Sequence, residues 1–224
     1  MVPVRDAASP DPVRPGPGRA DARRNRERVL AAADLALSER GLSVSVEEIA
    51  RQAGVGVGTV CRHFPTKQAL IAAVLTARYE ALLADARAAS ARPDVGVAFV
   101  DFFDSLCGFQ AEHRALAEEM ATGVGLPEVA EPLRLELHRA IAQLVARAQE
   151  AGTVRTDIGP ADVAMMFSGV AHATAVARDL PPVLRKRYAA IVLDGLRPDA
   201  ASELPGRPLG FDQLRRLQRR REAR

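Results

Sequence analysis

Tryptophan is absent from the chain and tyrosine occurs only twice, while alanine is abundant. That balance favours helix over sheet, because strands draw on aromatic and β-branched residues. Cysteine is as scarce: Cys61 and Cys107 are the only two. A disulfide framework and a paired zinc-type spacing are therefore excluded, and a reducing cytoplasm is the expected setting. No apolar run approaches the roughly 18 residues of a membrane span, so no membrane partner is expected. The first 20 residues lack the apolar stretch of a secretory leader. Also missing are a Gly-rich phosphate loop, a nucleophile elbow and a His-Glu-x-x-His pair. Neither enzymatic activity nor a cofactor nor a metal is expected.

Neither sign of charge dominates the 224 residues, whose net charge is +3. The distribution is uneven. Residues 19–67 hold nine Lys/Arg against six Asp/Glu, residues 90–206 eleven against sixteen, and residues 207–224 seven against two. A basic N-terminal part followed by an acidic middle suits a head that meets a polyanion and a body that does not.

Five prolines in residues 1–20 predict a disordered arm. From Ala22 to Arg40 neither Pro nor Gly interrupts, and Val29, Ala33, Ala36 and Leu37 form one apolar stripe ended by Gly41. Ser45-Val46-Glu47-Glu48 has the form of a capping box, followed by Ile49, Ala50 and Ala53 at helical spacing. Gly54 breaks this short helix. Gly58 to Phe64 reads as a second short helix stopped by Pro65, and Thr66 caps a longer one running to about Ala89. Helical periodicity continues over Val95–Arg114, Ala115–Met120, Glu128–Ala151, Ala161–Asp179 and Val183–Leu196. No stretch alternates with period two, so the expected class is all-α.

Two short helices joined through Gly54-Val55-Gly56-Val57 have the layout of a helix-turn-helix. The first crosses the DNA backbone and the second enters the major groove. With Val60 and Phe64 turned inward, Val57, Thr59, Arg62 and His63 are left for DNA.

The run Arg26-Glu27-Arg28-Val29-Leu30-Ala31-Ala32-Ala33, the Glu39-Arg40-Gly41 end, and Ser45–Phe64 with the adjoining Pro65-Thr66-Lys67-Gln68-Ala69-Leu70 resemble the DNA-binding head of TetR-family regulators. The resemblance covers roughly Ala22 to Leu83. It implies a three-helix head over 22–82 with its motif at 45–64, and a helical effector-binding and dimerisation domain over 90–198. It implies a homodimer on double-stranded, palindromic operator DNA, acting as a repressor released by a small-molecule effector. The other reading is a constitutive regulator or activator without a ligand. By the same resemblance Ser45, Val57, Thr59, Arg62, His63 and Lys67 would face DNA, with Arg24 and Arg28 adding phosphate contacts.

Three positions depart from the family pattern. Cys61 stands where a phosphate-touching tyrosine is common, and Gly56-Val57 where Ser-Lys is frequent. Cys61 reads as a small filler of the helix, because no second cysteine is near to resolve an oxidised thiol.

The C-terminal half resembles the SbtR-like subgroup. The resemblance places a homodimer interface on 161–179 and 183–196, where Ala164, Gly169, Ala171, Ala173 and Ala175 permit close helix contact. Phe99, Phe102, Phe103, Phe109, Met120, Leu137, Met165 and Met166 are the bulky candidates for an effector pocket, with His113, His138 and His172 as polar tips. The same aromatic stripe would also serve a plain core. Residues 207–224 read as a basic tail.

Overall fold

The computed structural model describes residues 17–113, 130–176, 182–200, 202–214 and 216. Among them the regular structure is helical, with no strand. The helices are α1 (Pro17–Arg40), α2 (Val46–Ala53), α3 (Val57–His63), α4 (Lys67–Ala91), α5 (Val95–Glu112), α6 (Glu131–Glu150), α7 (Pro160–Val176) and α8 (Pro182–Gly195).

Local chemistry sets most of these limits. α1 already includes Pro17, earlier than the Ala22 that the sequence suggests, so 17–20 belong to the helix and not to an arm. Residues 1–16, and with them most of the expected arm, lie outside the described residues. α2 carries the expected capping box: the Ser45 hydroxyl accepts from the Glu48 N–H at 3.2 Å, and the Glu48 carboxylate accepts from the Ser45 N–H at 3.2 Å. Gly54 ends α2 at φ +65°, a left-handed conformation that glycine adopts without a Cβ clash. The Thr66 hydroxyl accepts from the Ala69 N–H at 3.0 Å and starts α4.

In the head, α1 packs against α2, α3 and α4 around Val29, Ala33, Leu37, Ile49, Val60, Phe64 and Leu70. α4 continues into the body, where it packs on α5 and α6, while α7 packs on α5 and α8. The buried apolar cluster runs without a break from Val29 to Leu196, so head and body share a core along α4.

Residues 207–214 fold back onto the body and do not form a free tail. The Ala161 N–H donates to the Leu209 carbonyl at 3.1 Å, and the Leu209 N–H donates to the Asp162 carboxylate at 2.9 Å. Phe211 stacks on His138, the centroids 3.9 Å apart and the planes 3° from parallel. Gly159 is required here, since a Cβ at that position would collide with the Leu209 backbone. Most of the remaining basic end, from 215 on, lies outside the described residues.

Candidate nucleic-acid interface

α3 has seven residues, and its buried stripe is taken by Val60, with Phe64 one turn later at its C-cap. Everything about 100° round the helix from that stripe must face out. Val57 is 39% exposed, Arg62 is exposed, and Thr59 and His63 are half-buried at the edges of the same face. Cys61 is exposed on it too, so the expectation of a packed filler is corrected: Val60 already occupies the inward position beside it. At Gly56 and Gly58 no atom lies within 4 Å of where a Cβ would stand, which leaves the backbone of this face uncovered.

The scaffold around α3 is tied to the head by polar contacts. The Arg26 guanidinium lies 5.2 Å above the centre of the Phe64 ring, a cation–π contact that fixes the anchor of α3 to α1. Arg28 donates to the Gly54 carbonyl at 3.4 Å. Arg24 pairs with Asp21 on the exposed side of α1. The Lys67 ammonium donates to the Leu42 carbonyl at 2.6 Å, which uses one of its three N–H groups and leaves the charge at the head surface. The Ser45 hydroxyl is held within its capping box, at the start of α2. Glu48 also pairs with Arg40. The Ser45 backbone N–H, and after it Arg40, hold the Glu48 carboxyl below its ordinary value.

The described surface therefore presents a short helix with an open, mildly cationic and partly apolar face, flanked by arginines of α1 and by Lys67. Comparison with known proteins identifies this arrangement. Residues 29–74 match the bacterial regulatory proteins of the tetR family, and residues 94–198 match the C-terminal domain of SbtR-like transcriptional regulators. The HTH-type transcriptional regulator UidR of Escherichia coli strain K12 is 35% identical over 151 residues, 63% of this chain and 74% of UidR. The chain belongs to the TetR family. It is a DNA-binding transcriptional regulator of helix-turn-helix type. Among solved structures, a TetR transcription regulatory protein from Mycobacterium vanbaalenii is 36% identical. That match has a TM-score of 0.60 and covers 81% of this chain and 99% of that one. The regulator SCO0520 from Streptomyces coelicolor is 30% identical with a TM-score of 0.59, over 77% and 98% of the two chains. FadR from Bacillus subtilis, solved with stearoyl-CoA, shares the fold at 12% identity with a TM-score of 0.59, over 77% and 100%.

In the TetR-type body three of the predicted effector residues line two cavities bounded by described residues. Phe99 lines a cavity of about 260 Å³ between α5 and α8, and Met165 and Met166 line one of about 530 Å³ between α7, α8 and residues 204–208. Phe102, Phe103 and Leu137 are buried in the shared core and line neither cavity. Met120 lies outside the described residues. His138 is stacked under Phe211, and His172 is exposed on α7. Among the described residues no group of three or more His, Cys, Asp or Glu could hold a metal ion. No described helix is long and apolar enough to cross a membrane.

Sequence reasoning missed two polar residues that organise the body. Arg155 is buried, pairs with Asp157 at 2.6 Å and donates to the Ser202 carbonyl at 2.7 Å, fastening the α6–α7 connection to the segment that follows α8. Arg78, on α4, pairs with Asp34 on α1. Partners 44 and 47 residues apart carry no periodic signal, so neither was visible in the chain.

Proposed function

We propose that the chain is a repressor that binds a palindromic operator as a homodimer and leaves it when a small-molecule effector occupies the helical body. The observation that carries this reading is the pairing of an open α3 face with an exposed apolar face on the opposite half of the molecule. On α7, Met165, Gly169, His172 and Ala173 form one exposed stripe; on α8, Val183 is 65% exposed, Tyr188 40% and Ile191 56%. Exposed apolar side chains of this size, beside a glycine whose Cβ position is empty, suit close packing of a second copy into a four-helix bundle. His172 belongs to that stripe and drops from the effector candidates. Phe99 and Met166 remain, each on a cavity wall. Operator binding would place the protein in the cytoplasm.

On DNA, Val57 and Thr59 would contact base edges or thymine methyls, Arg62 and His63 the groove, and Ser45, Lys67, Arg24 and Arg28 the phosphates. The test uses duplexes enriched by the protein from random DNA. An inverted repeat is expected, with half-sites one or more helical turns, about 34–36 Å each, apart. Lys67→Ala should weaken all duplexes about equally and lower the salt slope by ~1. Selection of an asymmetric site bound by one chain would overturn the dimeric reading, and an unchanged slope would remove Lys67 from the interface.

A further inference from the structure

A cluster of partly buried polar groups that DNA contact does not explain lies where α1, α4 and the end of α5 meet. His113 is the C-cap of α5, its N–H donating to the Phe109 carbonyl at 2.9 Å. Its Nδ1 lies 2.6 Å from the Ser38 hydroxyl on α1, 75 residues away in the chain. Its Nε2 lies 3.3 Å from Nη2 of Arg78 on α4. Arg78 also pairs with Asp34 through Nε at 2.6 Å and through Nη2, and lies 5.3 Å above the Phe109 ring. Ser38 is buried and its hydroxyl donates to the Asp34 carbonyl at 2.7 Å.

The donors fix the hydrogen positions. Arg78 can only donate, so Nε2 must accept and carries no proton. Nδ1 then holds the proton and donates to Ser38, whose own hydrogen is already committed to Asp34. These bonds are satisfied together when the neutral imidazole carries its proton on Nδ1.

We propose that His113 is a positioning residue of the DNA-binding head: it clasps the end of α5 in the body to α1 and α4, and so holds the head in its operator-binding setting. α1 carries Arg26, whose guanidinium covers the Phe64 anchor of α3. A shift of α1 relative to α5 therefore reaches the recognition helix through two contacts. Protonation of His113 removes the acceptor for Arg78 and brings two cations together, with the Asp34 carboxylate facing them from α1. The clasp opens on acidification. This role needs only the DNA-binding function of the family and stands apart from effector release.

The experiment measures affinity for a duplex enriched by the parent protein, at about pH 8 and at about pH 5, the lower value set well beneath the ordinary imidazole value of about 6.5 because the Arg78 cation 3.3 Å from Nε2 favours the neutral ring. His113→Ala should bind roughly 5–150-fold more weakly than the parent at the higher pH, the usual span of a coupling between sites. His113→Gln keeps one donor and one acceptor but does not titrate, so it should hold near-parental affinity at both values while the parent weakens at the lower one. His63 is common to all the proteins and cancels from the comparison. If His113→Ala does not fold, Ser38→Ala, which removes only the acceptor for Nδ1, must weaken binding in the same direction. Parental affinity in a folded His113→Ala, or the same pH profile in parent and His113→Gln, overturns the proposal.

Discussion

Phe64 shows how one side chain can carry an interface that it never touches. It is 5% exposed, sits at the C-cap of α3 and lies beneath Arg26 of α1. Removing the ring leaves a cavity beneath the recognition helix, and Phe64→Ala should cost roughly 3–5 kcal/mol in chemical denaturation. DNA binding should be lost while the sedimentation of the native protein is unchanged. The two cysteines make the opposite point about exposure. Burial pushes the Cys107 thiol up to about 12, so almost none of it is thiolate near neutral pH, while Cys61 is exposed on α3. Alkylation of the native protein at about pH 8 should therefore label one site, Cys61, and reach Cys107 only after denaturation. Equal labelling of both would show that the body opens readily.

At the scale of the element, α2 depends on its first turn because eight residues hold few internal hydrogen bonds. Ser45→Ala removes the hydroxyl that caps the Glu48 N–H and should cost about 0.5–2 kcal/mol. The partner group gives a pH signature. The Glu48 carboxyl is held below its ordinary value by the Ser45 backbone N–H and by Arg40. A depressed acid contributes stability that is present above its unfolded value, here 4.5, and is lost as pH falls through the lower folded value. Glu48→Gln should therefore flatten the acid limb of the stability curve below about pH 4.5 and leave its shape near neutrality unchanged. An acid limb identical to the parent's would mean that the capping box does not persist in solution.

For the whole molecule, the proposed dimer requires two heads held at a fixed separation. A dimer fits DNA only if its recognition helices match successive major grooves. α4 begins beside Arg62 and His63 and ends in the body, and α7 and α8 carry the exposed apolar stripe at the far side. Ile191 is 56% exposed on that stripe, so Ile191→Asp places a charge where the second copy would pack. Sedimentation should then report monomers with undiminished helicity, and operator affinity should fall because one head binds without its twin. A variant that stays dimeric would move the interface away from α8.

The head was legible in the sequence because its signals are local. The capping box at Ser45–Glu48, the left-handed Gly54 and the Thr66 cap each involve residues within a few positions of one another. Those same signals fix which face of α3 looks outward. They failed at Cys61, where a residue next to the inward Val60 turned out to face solvent. The all-helical body was legible as a class, but not as a site. Phe102, Phe103 and Leu137 read equally as pocket or core from their spacing, and in the folded chain all three are buried. Residues 207–214 read as tail because the adjoining run to Arg224 is dominated by charge, while their docking depends on the missing Cβ of Gly159 and on Asp162. Likewise, nothing within the neighbourhood of His113 announces Ser38 or Arg78 as its partners. Periodicity and capping are written within a few residues, and the chain alone determined them. Which distant polar groups meet is decided only when the helices pack, because a buried donor must find its acceptor wherever the fold has brought one.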